Sequence, residues 1–198
     1  MTGISTAAVE PSETATDRYI IDGRSSRFTV RAFATGLLAA MGHNPTIGIR
    51  DFSGEMKFNP DKLEAGSFRL VVRTSSLSVQ DDMSDKDSRE IERLMNQEVL
   101  ETAKFPEIIY EASSISVTKM ADMLYAAKLN GDLTLHGVTR SQPITARISL
   151  LGSMLRASGD FPLSQTDYNI KLVSVAGGVL KLKDEVKFSF EIVARRQE

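Results

Sequence analysis

From Tyr19 onward, apolar and polar residues alternate with a period of two, and this alternation constrains the fold more than any other feature of the chain. Successive side chains of a β-strand point to opposite faces, so a period of two separates a buried face from a wetted one. Phe28, Val30 and Ala32 alternate with Arg27, Thr29 and Arg31, and Phe52, Gly54, Met56 and Phe58 with Asp51, Ser53, Glu55 and Lys57. Asn59-Pro60-Asp61 then reads as a turn. Phe68, Leu70 and Val72 continue the pattern, followed by Ile108, Tyr110 and Ala112, then Leu129, Gly131, Leu133 and Leu135. Ile144, Ala146 and Ile148 come next, then Leu155, Ala157, Gly159 and Phe161, and last Val186, Phe188, Phe190 and Ile192. His136-Gly137-Val138-Thr139 reads as a hairpin connection. The total is about eight antiparallel strands, a number at which a closed sheet has room inside for side chains or one small ligand.

One segment breaks the period. Between Ser84 and Leu100, Ile91, Leu94, Met95, Val99 and Leu100 recur at helical spacing among charged residues. Asp85, Asp87 and Glu90 crowd the first turns, where a helix dipole favours negative charge, and Pro106 ends any continuation. A single helix beside a meander of strands closes one end of a barrel or covers part of its wall. A length of 198 residues suits one domain and no linker divides it, so a flexible tail is expected over residues 1-17 and one barrel domain over residues 18-198.

Composition narrows the function. The 24 basic and 26 acidic residues are mixed along the chain, which leaves no basic field to attract nucleic acid. Cysteine is absent, which removes disulfides, thiol nucleophiles and thiolate metal sites. Two histidines without H-x-H or H-E-x-x-H spacing offer no metal site, and no glycine-rich loop opens a helix for a nucleotide, so no cofactor is expected. No apolar run approaches the ~18 residues of a membrane span. No secretory signal is visible, and a cytoplasmic protein is expected, with the periplasm as the alternative if a native start is missing.

Five stretches resemble the YceI-like family of polyisoprenoid-binding, lipocalin-like β-barrel proteins. Tyr19-Ile20-Ile21-Asp22, with Ser26 and Phe28 after it, resembles the family's opening motif, and Arg50 to Met56 its second-strand F-x-G motif. Phe105-Pro106 with the strand Ile108 to Ala112 resembles the segment after its helix, and Gly131 to Thr139 its G-x-L-T-L-H-G-V-T hairpin. Lys183-Asp184-Glu185-Val186 resembles the lead into its last strand. The chain departs from the pattern in three places: Ser25-Ser26 stands for His-Ser, Gln165-Thr166-Asp167-Tyr168-Asn169 stands for Arg-x-Asp-Phe-Gly, and the stretch Gly36 to Ile47 is longer and more apolar. The resemblance implies a mainly β fold, a single eight-stranded antiparallel lipocalin-like barrel with one helix around residues 84-100. It also implies a binding protein without catalytic residues, a long apolar lipid ligand such as a polyisoprenoid or isoprenoid quinone, a transport, storage or sensing role, and a homodimer.

The expected apolar channel is formed by Phe28, Val30, Phe52, Met56, Phe58, Phe68, Leu70, Tyr110, Leu133, Ile144, Phe161, Phe188 and Phe190, with His43 and Asn44 as candidate headgroup contacts. Alternation alone fits equally a dry core or a cavity, and the resemblance favours the cavity. Gly54, Gly131, Gly159 and Ala112 on the inner face are expected to leave space, although strand glycines also mark bulges. The alternative of a hydrolase-like enzyme rests on His43, His136 and Asp51, because a nucleophile needs a base within hydrogen-bond reach. His136 sits in a tight turn, where bonding a turn carbonyl or stacking on a neighbour is the commoner role. Leu37, Leu38 and Met41 read as a buried loop or as a lip for transient membrane contact.

Overall fold

The computed structural model describes residues 17–35, 44–58, 66–172, 174–175 and 180–197. The Asn59-Pro60-Asp61 turn, His43 and the stretch holding Leu37, Leu38 and Met41 lie outside the described residues, as does the side chain of Phe58. The elements in order are β1 (Asp17–Ile21), β2 (Arg27–Arg31), β3 (Ala34–Thr35), β4 (Thr46–Ile49), β5 (Phe52–Phe58), β6 (Ser67–Arg73) and β7 (Leu77–Val79). Helix α1 (Asp85–Leu94) runs into a π-helical turn, Met95–Val99. Then come β8 (Glu107–Ala121), β9 (Leu124–Leu135), β10 (Val138–Ser141), β11 (Ile144–Leu151), β12 (Met154–Ser164), β13 (Ser174–Val175), β14 (Leu180–Leu182) and β15 (Glu185–Arg196).

The strands form a closed antiparallel barrel of eight staves, four of them broken into two pieces. β1 with β2, β4 with β5, β6 with β7 and β10 with β11 each make one stave, and β8, β9, β12 and β15 are continuous. Every stave pairs with its sequence neighbour, and β15 closes the ring on β1 through Ile21↔Ala194 and on β2 through Phe28↔Phe190. Closure leaves no free edge along most of the sheet. At the first break, Ser26 Oγ accepts from the Val193 N–H at 2.9 Å and donates to the Val193 carbonyl at 3.1 Å, so a side chain carries the ladder across the gap.

The β9–β10 hairpin turns on His136 and Gly137, both at positive φ (+51° and +74°), the geometry of a two-residue type I′ turn. A β-carbon on Gly137 would lie 2.5 Å from the Phe105 ring, so both space and φ require glycine there. Ser84 caps α1 by accepting from the Asp87 N–H at 3.1 Å. Glu92 on α1 accepts from the Val79 N–H at 3.0 Å, which ties the helix to β7 where, among the described residues, no further strand covers that edge. The predicted helix is therefore present, with its last turn widened to π. Among the described residues no helix is long and apolar enough to cross a membrane.

Candidate ligand-binding cavity

The inner faces of the staves do not meet. They enclose a cavity of about 610 Å³ that runs from the roof formed by α1 and the π turn down to the level of Met56, Ile115, Ile148 and Ile192. This volume falls within the ~300–1,000 Å³ of ordinary small-molecule sites. Eleven of the thirteen residues expected to form an apolar channel line it: Phe28, Val30, Met56, Phe68, Leu70, Tyr110, Leu133, Ile144, Phe161, Phe188 and Phe190. Phe52 does not. It stands edge-on to Phe28 with ring centroids 4.6 Å apart, a partly buried ring packed against the core on the inner face of β5.

The cavity ends abruptly below. Tyr19, Tyr125, Leu150 and Leu155 are buried on the same inner face without lining it, and they form a packed plug. The glycines contribute no space, contrary to the expectation from sequence. A β-carbon at Gly131 would lie 2.7 Å from the Tyr110 hydroxyl and 2.5 Å from the Glu111 carbonyl, and one at Gly159 would lie 2.7 Å from the Phe190 ring. Aromatic rings from the neighbouring strands lie over these glycines, and neither they, Gly54 nor Ala112 line the cavity. The space comes instead from the roof, which holds the helix above the barrel rather than in it.

The roof was visible in the sequence as an amphipathic helix but not as cavity wall. All five of its apolar residues, Ile91, Leu94, Met95, Val99 and Leu100, line the cavity. Among the described residues, charged groups are confined to the rim at this end. Asp82 and Asp87 are solvent-exposed and also line the cavity, so the cavity reaches the surface beside the first turn of α1. Asp81 accepts from the Thr46 N–H at 2.7 Å, and Asn44, a predicted headgroup contact, accepts from the Ala34 N–H at 3.0 Å while also lining the rim.

On the opposite side of the rim lies Gln165, only 8% exposed. Its Nε2 donates to the Lys183 and Asp184 carbonyls at 3.0 and 3.2 Å. Asp184 holds this corner together: its carboxylate accepts from Ser164 Oγ, from the Thr166 N–H and from Thr166 Oγ1. Those hydrogen bonds, led by Ser164, keep its carboxyl below the ordinary range. Within the wall, Tyr110 donates from its hydroxyl to the Gln142 carbonyl at 3.0 Å. Burial, with a smaller push from Asp132, raises its phenol well above the usual value and keeps it neutral.

His136 is not part of the cavity wall. Its ring packs at a tilt against Phe105 with centroids 4.4 Å apart, Nδ1 lies 3.2 Å from the Tyr168 carbonyl and Nε2 lies 2.9 Å from Glu101 Oε2. A carbonyl oxygen only accepts, so Nδ1 carries a hydrogen. The ring thus fastens the hairpin to the exit of the π turn and to the segment after Gln165. Asp51 is exposed on the barrel exterior and pairs with Arg73 at 2.7 Å. The structure does not bring Asp51 and His136 into contact. Neither signal, a turn histidine and an alternating aspartate, could have shown this from sequence.

A closed eight-stranded barrel around an apolar cavity is the architecture of the lipocalin-like binding barrels. Residues 19–194 match the model of the YceI-like domain, and the chain belongs to that family. It is 30% identical over 154 residues to Protein YceI of Escherichia coli O6:H1, covering 77% of this chain and 69% of that one. A UPF0312 protein of Pseudomonas fluorescens is 27% identical over 151 residues, covering 75% and 70%. The fold matches that of BcnA from Burkholderia cenocepacia (TM-score 0.67, 18% identity, 87% of this chain and 98% of that one). It also matches a polyisoprenoid binding domain from Saccharophagus degradans implicated in plant cell wall breakdown (TM-score 0.66, 14% identity, 90% and 98%).

Proposed function

We propose that this protein holds the tail of a long apolar lipid, of the polyisoprenoid class, inside the barrel, and that it carries, stores or senses that lipid without transforming it. The observation that carries this reading is a cavity bounded by apolar side chains from every stave and from the roof, with charged groups, among the described residues, only at its rim. Each methylene moved from water into such a space contributes about 0.8 kcal/mol before the cost of ordering the chain is subtracted. Length and shape, rather than polar contacts, set the affinity. The description of the S. degradans relative as a polyisoprenoid binding domain supports the ligand class. An isoprenoid quinone has the same kind of tail and belongs to the same reading.

Native mass spectrometry of protein purified from its own organism, followed by organic extraction, tests this proposal. A stoichiometric prenyl lipid released intact is the expected result. Protein that carries no lipid and takes up none when prenyl lipids are added would overturn it.

A further inference from the structure

The exterior of the barrel is charged unevenly. Across β1, β5, β6 and β8, arginines are matched by carboxylates of a neighbouring segment: Arg18 by Glu55 at 2.6 Å, Arg69 by Glu111 at 2.7 Å and Arg73 by Asp51 at 2.7 Å. Across β9, β11 and β12 they are not. Lys128, Arg147 and Arg156 are exposed, and none has a hydrogen-bond or ion-pair partner among the described residues. The three lie on one diagonal: Lys128 stands opposite Thr145, Arg147 follows two residues along β11, and Arg156 stands opposite Ser149, two residues further again.

This diagonal leads to an exposed apolar cluster at the plugged end. Leu151, Met120, Met123 and Leu124 are 75, 65, 53 and 39% exposed and sit at the turns of the β11–β12 and β8–β9 hairpins. The Leu150 N–H donates to the Met123 carbonyl at 3.0 Å, which holds the two turns side by side. Leu124 pairs with Ser149, so Leu124 and Leu151 share the outer face with Arg147 and Arg156. Lys119, Arg195 and Arg196, also near this end, are paired with Asp122, Asp22 and Asp17. Four large apolar side chains held together in water gain little from the fold, and such a patch marks a contact surface.

The spacing of the two features fits a bilayer. Arg156 stands two residues above the Leu151–Met154 pair and Arg147 stands four above it, which is about 7 and 14 Å along the strands. With the tips at the acyl boundary, Arg156 therefore lies at the polar layer of a leaflet, about 5–8 Å thick. A second copy of the chain fits less well, because a two-fold contact through this patch would bring the same unpaired cations together. Both edges of β9, β11 and β12 are already paired, so no strand edge is open to a partner here. We infer that this end of the barrel docks on an anionic lipid surface, with Met120, Met123, Leu124 and Leu151 entering the leaflet and Arg147 and Arg156 meeting its phosphates. The cavity opens at the opposite end, so docking is independent of what the barrel holds.

The test is flotation of the full-length protein with vesicles of phosphatidylcholine containing phosphatidylglycerol, and with vesicles of phosphatidylcholine alone. Binding is expected to be about tenfold or more tighter to the anionic vesicles and to weaken in high salt. Two double variants at exposed positions, Arg147→Glu with Arg156→Glu and Met123→Asp with Leu151→Asp, are each expected to lose about tenfold or more, with unchanged circular dichroism. Ala146→Phe, which fills the cavity, is expected to float as the wild type does, which separates docking from uptake of lipid into the barrel. The chain has no tryptophan, so Leu151→Trp supplies a single reporter whose emission is expected to shift to the blue on anionic vesicles. Absence of flotation, or flotation that survives both double variants, would overturn the inference. A dimer in sedimentation that Leu151→Asp disperses, with no flotation, would assign the patch to a second copy and overturn it as well.

Discussion

The two ends of the barrel are built from the same alternating strands and differ in what fills them. At the lower end, Tyr19, Tyr125, Leu150 and Leu155 close the interior, and Leu155 has no solvent exposure at all. At the upper end, β7 has no strand on its second edge among the described residues, and a helix held by Ser84 and Glu92 replaces a packed core as the cover. A plug of branched and aromatic side chains stabilises the ring. A roof set above the ring creates volume. Volume in this fold therefore resides beneath the helical cover, and the packed end of the ring is where side chains fill the interior.

Several substitutions would break or sharpen this contrast. The largest effect is expected at the waist. Gly131→Val places a branched side chain against the Glu111 carbonyl and the Tyr110 hydroxyl, where even a β-carbon would come within 2.5 and 2.7 Å. Such overpacking against backbone is expected to cost about 3 kcal/mol or more, and expression with circular dichroism would show loss of the folded sheet. Next is a matched pair. Leu155→Ala in the plug is expected to cost about 3 kcal/mol in urea unfolding and to leave lipid affinity nearly unchanged. Leu94→Ala in the roof removes a side chain that already borders open space, so it is expected to cost about 1 kcal/mol while weakening lipid binding. Equal stability losses at the two sites would contradict the division of roles.

His136→Ala removes the fastening between the β9–β10 hairpin, Glu101 and the Tyr168 carbonyl. A loss of about 1–3 kcal/mol is expected, with faster amide exchange in the segment 166–170 than in the plug. The smallest effect concerns pH. The hydrogen bonds from Ser164 and Thr166 lower the Asp184 carboxyl in the folded state, so the unfolded chain takes up that proton more readily. The stabilisation is present above the ordinary aspartate value of about 3.9 and is lost as pH falls through the lower folded value. Asp184→Asn should flatten the acid limb of the stability curve, and an unchanged limb would remove this contribution.

Most of the barrel was legible because alternation reports directly which face of a strand is buried. The staves from β9 to β15 keep one phase over long runs, whereas in β8 a bulge between Ala112 and Ser114 moves the inner phase by one residue, to Ile115. The breaks were not legible. Between Ile49 and Phe52 the inner phase shifts by one residue, and at Asp22 to Ser26 a turn interrupts the stave while a serine side chain carries its ladder. Neither leaves more than a local irregularity in the pattern. Glycine positions misled for a related reason: a strand glycine indicates a missing side chain, and only the structure shows that Tyr110 and Phe190 cover the gap. Gln165 and the aspartates of the rim gave no sequence signal, because polar residues near a turn are ordinary until the chain brings them to one opening.

The central claim is that the ligand occupies the space between plug and roof, and filling that space tests it most directly. Ala146 lines the cavity and is 8% exposed, so Ala146→Phe directs a ring into the void. Binding stoichiometry of geranylgeraniol would be measured for the wild type and for this variant, with circular dichroism to establish that both are folded. The account predicts one lipid per wild-type chain and none in the folded variant; equal stoichiometry in the two would place the lipid elsewhere and contradict it.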